Sequence, residues 1–256
     1  MPVDLNCDMG EGMDTDAAIF PFITSTNIAC GAHAGDGDTM RRTVELAMVQ
    51  GVAIGAHPSY PDRARFGRVD ILGAGLSPAA LKDSLAALED SLFEQLRSLD
   101  AVCRELGVRM HHVKPHGALY NRAARDVLVS GLICRVVAAV DASLLLYGLS
   151  GSGMSAAAAE AGLGFVSEVF ADRGYRPDGS LVPRSEPGAL IEDEAAAVAQ
   201  VLKMVREGRV AVTGGGEVTL RAETVCLHGD GAHAVEFARL IHGALAAEGV
   251  KMVAPA

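Results

Sequence analysis

A distorted, TIM-like (β/α) barrel of seven units is the fold class this chain of 256 residues predicts. Three observations carry it. Short apolar runs alternate with helical periodicity along the whole chain, which implies parallel strands with helices packed outside them. Seven such runs each end in polar residues and glycines, the grammar of strand ends that converge on one mouth. The length suits one barrel, typically about 250 residues. No linker divides the chain, so 1–256 reads as one domain. An open doubly wound sheet is the alternative that the same alternation allows.

Val3–Cys7 reads as the first strand, followed by an acidic loop with Asp8, Gly10 and Glu11 and a short helix over Asp14–Phe22. Ser25–Ala29 is the second strand and runs into Cys30-Gly31-Ala32-His33-Ala34-Gly35-Asp36. A helix over Thr39–Gln50 follows, with Asp38 as N-cap and Gly51 as its stop. Val52–Ala56 is strand three and ends in His57-Pro58. Ser77-Pro78 opens the clearest helix, with leucines at 81, 85, 88, 92, 96 and 99 forming a core stripe and Gly107 ending it. Val108–Val113 is strand four, ending in Lys114-Pro115-His116-Gly117, with a helix over Asp126–Val140. Ser143–Tyr147 is strand five, then Ser150-Gly151-Ser152-Gly153 and a helix over Met154–Ala161. Gly164–Glu168 is strand six, ending in Phe170-Ala171-Asp172-Arg173, and Glu192–Glu207 is helical. Val210–Val212 and Val218–Ala222 flank three glycines as a hairpin insertion. Thr224–Leu227 is strand seven, ending in His228-Gly229-Asp230, and Ala232–Glu248 is the last helix.

The net charge of −10 argues against a nucleic-acid or anionic-membrane surface. Local cations are still able to receive a small anion. Five cysteines without C-x-x-C spacing read as reduced thiols of a cytosolic protein. The start M-P-V-D-L-N has no leader character, and no apolar run reaches the roughly 18 residues of a membrane span.

Chemistry is expected at the mouth, where four of the eight histidines fall (33, 57, 116 and 228). Asp8, His33 and His57 have the donor types for a divalent metal, although hydrogen bonding among loops explains them too. Lys114 suits an oxyanion, phosphate or carboxylate, and His116 suits proton movement; a salt bridge from Lys114 to Glu168 or Asp172 is the plainer reading of the lysine. Glu168 and Asp172 are candidate general bases, with Arg173 as an anion anchor. Ser150–Gly153 offers backbone N–H groups to a phosphate, or is only a flexible turn. No G-x-x-x-x-G-K-[ST] stretch occurs. Cys30 reads as a buried thiol, and His111, His112, His233 and His242 as structural.

Six stretches occur in one order along nearly the whole chain: D-L-N-C-D-M-G-E (Asp4–Glu11), N-I-A-C-G-A-H-A-G-D (Asn27–Asp36), G-A-H-P-S-Y-P-D (Gly55–Asp62), V-K-P-H-G-A-L-Y-N (Val113–Asn121), E-V-F-A-D-R-G-Y (Glu168–Tyr175) and C-L-H-G-D (Cys226–Asp230). Together they resemble the LamB/YcsF family, described as the A component of the bacterial ATP-dependent 5-oxoprolinase. The chain departs from the family pattern at Ala32, Arg65 and Val69, where Phe, Gly and Arg are usual. Ala32 leaves space beside His33. The resemblance implies a distorted barrel similar to glycoside hydrolases and polysaccharide deacetylases, whose Asp-His-His metal site singles out Asp8, His33 and His57.

The resemblance further implies opening of the 5-oxo-L-proline lactam to L-glutamate, coupled to ATP hydrolysis with Mg2+, together with subunits B and C. The missing P-loop fits partners that handle the ATP. Lys114, His116, Glu168 and Asp172 are then the expected catalytic residues, and Asn27, Tyr120 and Arg173 the expected substrate-binding ones. The rival expectations are a stand-alone metal-dependent amidohydrolase or deacetylase and a non-catalytic ligand-binding subunit.

Overall fold

The computed structural model describes residues 2–73, 75–227 and 234–256. Its strands are β1 (Asp4–Met9), β2 (Ser25–Ala29), β3 (Ala53–His57), β4 (His112–Val113), β5 (Leu145–Leu149), β6 (Gly164–Phe170), β7 (Arg209–Ala211), β8 (Glu217–Thr219) and β9 (Thr224–Leu227). Seven of them are parallel and close into a barrel in the order β1-β2-β3-β4-β5-β6-β9. Closure is made by β9, which pairs with β1 on one side and β6 on the other. That excludes the open doubly wound sheet. β7 and β8 form a separate antiparallel pair, with Val210 opposite Val218.

Helices α1 (Asp16–Ile19), α2 (Gly37–Gln50), α3 (Pro78–Glu105), α4 (Gly117–Ala123), α5 (Val127–Val140), α6 (Met154–Glu160), α7 (Glu194–Glu207) and α8 (Ala234–Ala247) alternate with the strands. The leucine stripe of α3 is a core face as expected: Leu88, Leu92, Leu96 and Leu99 are buried. Ser77 caps it by accepting from Ala80 N–H, with Pro78 in its first turn. α2 starts two residues before the expected Thr39. Its cap is Asp36, which accepts from Thr39 N–H at 2.8 Å, while Asp38 lies in the first turn. α4 is a helix that the sequence analysis does not place: Gly117 takes φ +54 and starts it directly after the strand-end residues Pro115 and His116. Strand β4 is confined to His112–Val113, and the expected first residue of that strand, Val108, closes the end of α3 through its N–H on the Cys103 carbonyl. No helix among the described residues is long and apolar enough to cross a membrane.

The barrel interior is polar. Along β1, Leu5, Cys7 and Met9 join the hydrophobic core, whereas Asp4, Asn6 and Asp8 hydrogen-bond across the lumen. Asp4 bonds Ser25 and Thr224, and Asn6 bonds Glu168 and Thr224. TIM-type barrels usually fill this space with branched apolar layers. Here the strands carry a continuous buried hydrogen-bond network up to the mouth.

Candidate active site

Lys114 is the centre of the upper lumen. Its Nζ lies 3.0 Å from Asn6 Oδ1, 3.0 Å from Asp8 Oδ1, 2.8 Å from Glu168 Oε1 and 3.1 Å from Cys226 Sγ. An ammonium has three hydrogens, so four acceptors engage it fully. The side chain is buried. Burial alone would lower its pKa, but Asp8, Cys226 and Glu168 outweigh burial and hold it well above the ordinary lysine value. The salt bridge to Glu168, the plainer sequence reading, is present.

Asn27 supports this arrangement from below. Its Nδ2 donates to Asn6 Oδ1 and Asp8 Oδ1, both at 2.8 Å, and its Oδ1 accepts from His112 Nε2 at 2.8 Å. His112 is admitted by Gly55 on the neighbouring strand, where a Cβ would stand 2.1 Å from His112 Nε2. Asn27 is fully buried and braces the site from beneath the cavity.

Three imidazoles stand beside the lysine. His57 Nδ1 donates to the Lys114 carbonyl at 2.7 Å, and His116 Nε2 donates to the Phe66 carbonyl at 2.9 Å. Carbonyls only accept, so in the neutral rings His57 Nε2 and His116 Nδ1 carry lone pairs. These two atoms are 2.9 Å apart. His33 Nδ1 faces Ser59 Oγ at 2.9 Å, and that hydroxyl donates to the Tyr60 carbonyl. The lone pair of His33 Nε2 then points at Glu11 Oε1, 3.0 Å away. Three imidazole nitrogens and one carboxylate oxygen thus converge, all within 4.8 Å of one another. A cluster of acceptors is stable only around a cation, either a proton or a metal ion.

The titration of the rings fits this. Burial lowers His57, but Asp8 Oδ2 at 3.3 Å outweighs burial and leaves it raised. His116 is pushed down to about 2 by burial and by the charges of His57 and His33. Burial likewise lowers His33, with Glu11 opposing. One proton on His57 serves His116 and Asp8 but leaves His33 and Glu11 uncompensated. Phe66 holds the cluster in shape. It is the one non-glycine at positive φ (55°) among the described residues, its carbonyl accepts from His116, and its ring stands edge-on to both His33 and His116 at 5.3 Å.

A cavity of about 810 Å3 opens above these groups. Asp8, Glu11, His57, Lys114, His116 and Tyr120 line it. Tyr120 Oη and Glu168 Oε2 are buried without a hydrogen-bond partner among the described residues. Burial first, and then the Glu168 charge, holds the Tyr120 phenol well above its ordinary pKa, so it stays a donor. Arg173 is on the wall, with Nε on the Ala189 carbonyl and one terminal nitrogen on the Val182 carbonyl, so much of its work is to fasten the loop after β6.

Asp172 is not on the cavity wall: β6 runs two residues past the expected end, and Asp172 falls where the loop turns, its carbonyl accepting from Ile191 N–H. His228 and Asp230 lie outside the described residues. Three N–H groups of the Ser150–Gly153 turn are already taken by main-chain carbonyls, those of Ser150, Ser152 and Gly153 bonding the Glu168, Leu149 and Ala124 carbonyls. Cys30 is buried, its thiol pushed up to about 12 by burial, as expected of an inert side chain. Sequence reasoning missed Glu11 as a site residue. It also left out Asn6, whose place on the same lumen face as Asp8 follows from two-residue strand alternation.

Comparison with known proteins accords with this architecture. Residues 3–256 match the model of the LamB/YcsF family. The A component of the 5-oxoprolinase of Tolumonas auensis is 49% identical, the match spanning 98% of each chain. The crystal structure of a lactam utilization protein from Thermus thermophilus superposes with a TM-score of 0.88 at 40% identity over 100% of both chains. At 14% identity, a putative cellobiose-phosphate cleavage protein from Enterococcus faecalis V583 shares the fold alone, with a TM-score of 0.56 over 98% of this chain and 96% of the other.

Proposed function

For a chain that belongs to the LamB/YcsF family, we propose the role of the A component of an ATP-dependent 5-oxoprolinase, which opens 5-oxo-L-proline to L-glutamate together with subunits B and C. The full-length relative of that name supports the reading. The observation that carries it on the chemical side is the cavity floor, where a buried Lys114–Asp8–Glu168 charge cluster adjoins a tyrosine hydroxyl with no partner among the described residues.

A five-membered lactam is a stable amide. ATP activates it by transferring a phosphoryl group to the amide oxygen, with ADP leaving; the partners handle this step with Mg2+. Water then adds to the activated carbon. The C–N bond breaks as a proton reaches nitrogen, and a second water cleaves the remaining acyl phosphate to glutamate and phosphate. In this chain Tyr120 Oη–H donates to the substrate, and Asp8, on the cavity wall, takes the proton from water. Lys114 holds the Asp8 and Glu168 carboxylates in place through its ion pairs at 3.0 and 2.8 Å. His116, with its basicity suppressed, serves as an acceptor of the cluster and does not carry the proton itself. Asp172, away from the cavity, keeps a supporting role in the loop.

The donor set of Glu11, His33, His57 and His116 fits a divalent ion of the zinc class, three nitrogens and one oxygen. Asp8, placed among the metal ligands by the sequence, adjoins this set through His57, while its Oδ1 is engaged by Lys114 and Asn27. A bound ion would polarise a carbonyl or acidify a water at this place.

The test is glutamate release from 5-oxoproline with ATP and Mg2+, by this chain alone and with subunits B and C. Release only in the full mixture is expected. Chelator-sensitive amide hydrolysis by the chain alone, without ATP, would replace this reading with that of a stand-alone amidohydrolase.

A further inference from the structure

Six lysine and arginine side chains line the mouth cavity of a chain whose net charge is −10. Four of them are engaged. Lys114 is enclosed by four acceptors, and Arg173 holds loop carbonyls. Arg176 meets both oxygens of Glu186 at 2.7 Å. Arg68 lies over the Phe66 ring and has a further interaction. The other two are Arg125, between α4 and α5, and Arg184, in the loop between β6 and α7. Both are exposed, line the same cavity, and make no ion pair among the described residues. Arg184 is near enough to Arg173 for the two positive charges to oppose each other, adding to burial in lowering the Arg173 pKa.

A like-charge pair on a cavity wall, with a second unpaired guanidinium on the same wall, is an arrangement that an anion relieves. Arginine is the side chain best shaped to grip phosphoryl oxygens. Further in, the partnerless Tyr120 hydroxyl marks the same cavity as built for a polar ligand.

We propose that Arg184 and Arg125 form a phosphoryl subsite at the rim of this cavity, which receives the phosphoryl group carried by the activated lactam and releases it as phosphate. The inference rests on the 5-oxoprolinase reading and deepens it: the substrate enters already phosphorylated, and the charges that meet it belong to residues outside the reacting floor. Arg173 and Lys114, the anion holders suggested by the sequence, instead hold the loop and the floor.

The experiment titrates the full chain with inorganic phosphate by calorimetry, for the native protein, Arg184→Gln, Arg125→Gln and the control Arg104→Gln. Arg104 lies on the exposed face of α3, paired with Asp100. One saturable site is expected, weakened about tenfold by loss of either cavity arginine, the scale of one charged hydrogen-bonding group, and unchanged in the control. Melting temperatures of the variants should match the native one, since neither side chain has an ion-pair partner to lose among the described residues. No phosphate binding by the native chain, or equal affinity in all four, overturns the subsite. ATP binding at least tenfold tighter than phosphate at the same arginines would also overturn it, assigning them to a nucleotide. Glutamate release by the complete native mixture is measured in parallel. Phosphate binding without release leaves the anion site and sinks the lactam reading; release without phosphate binding does the reverse.

Discussion

His57 Nε2 and His116 Nδ1 stand 2.9 Å apart, and the opposite nitrogen of each ring is held by a main-chain carbonyl. Two acceptors fixed nose to nose require something positive between or beside them.

The first expectation is therefore a metal. Purified chain stripped with chelator should take up one equivalent of zinc or cobalt. Glu11→Gln and His116→Gln should each weaken uptake by about 100-fold or more, since loss of a mere outer-shell partner already costs roughly 10–100-fold. Equal affinity in both variants would show that the cluster holds only a proton.

Lys114→Met should be among the most destabilising single changes in the lumen. It leaves Asp8 and Glu168 without their cation in a buried place, at a cost of about 3–5 kcal/mol. Adding Glu168→Gln should restore part of that. Urea denaturation of the single and double variants measures both, and a single-variant loss under about 1 kcal/mol would contradict the buried ion pair.

Tyr120→Phe separates function from folding. The hydroxyl has no partner within the described residues, so removing it should leave stability unchanged or slightly increased. Turnover of the assembled enzyme should fall about tenfold or more if the phenol donates to substrate. A variant that melts lower but turns over normally would place the hydroxyl in the core instead.

Acid should loosen the metal-free fold through its histidines. His33, His112 and His116 all have folded pKa values below 6.5, so the unfolded chain binds protons there that the folded chain refuses. Stability is then lost as pH falls through 6.5, by at most about 4 kcal/mol per pH unit for three protons. His57 is raised and acts oppositely: its contribution is present below 6.5 and lost as pH rises through its folded value. The stability maximum should lie just above 6.5, with a fall on the acid side that begins before carboxylates titrate. Denaturation midpoints that stay flat over the first unit below 6.5 would mean that these rings are charged in the fold.

The barrel was legible because its strands obey period two and its helices carry stripes such as Leu88 to Leu99. Much of the site was legible for the same reason. Lys114 and His116 keep the alternation across Pro115, and both line the cavity. What failed was loop geometry. Glu11 reaches the histidines because Gly10 and Gly12 take φ of +73 and +92 and Asp16 holds Gly10 N–H, none of which a pattern of residue types reveals. Asp172 was misplaced by two residues of extra strand, enough to move it off the wall. Asp36 displaced Asp38 as a cap because either spacing satisfies the same rule.

The hydrogen-bonded lumen carries a consequence for how such a protein diversifies. Oil-filled barrels tolerate exchange of one branched side chain for another, but a lattice of donors and acceptors has a single consistent wiring. Altering Asn27 asks for matching changes at Asn6, Asp8 and His112 at once. Novelty in substrate choice should therefore accumulate in the rim segments, such as those bearing Arg125 and Arg184, while the floor passes unaltered from one descendant to the next.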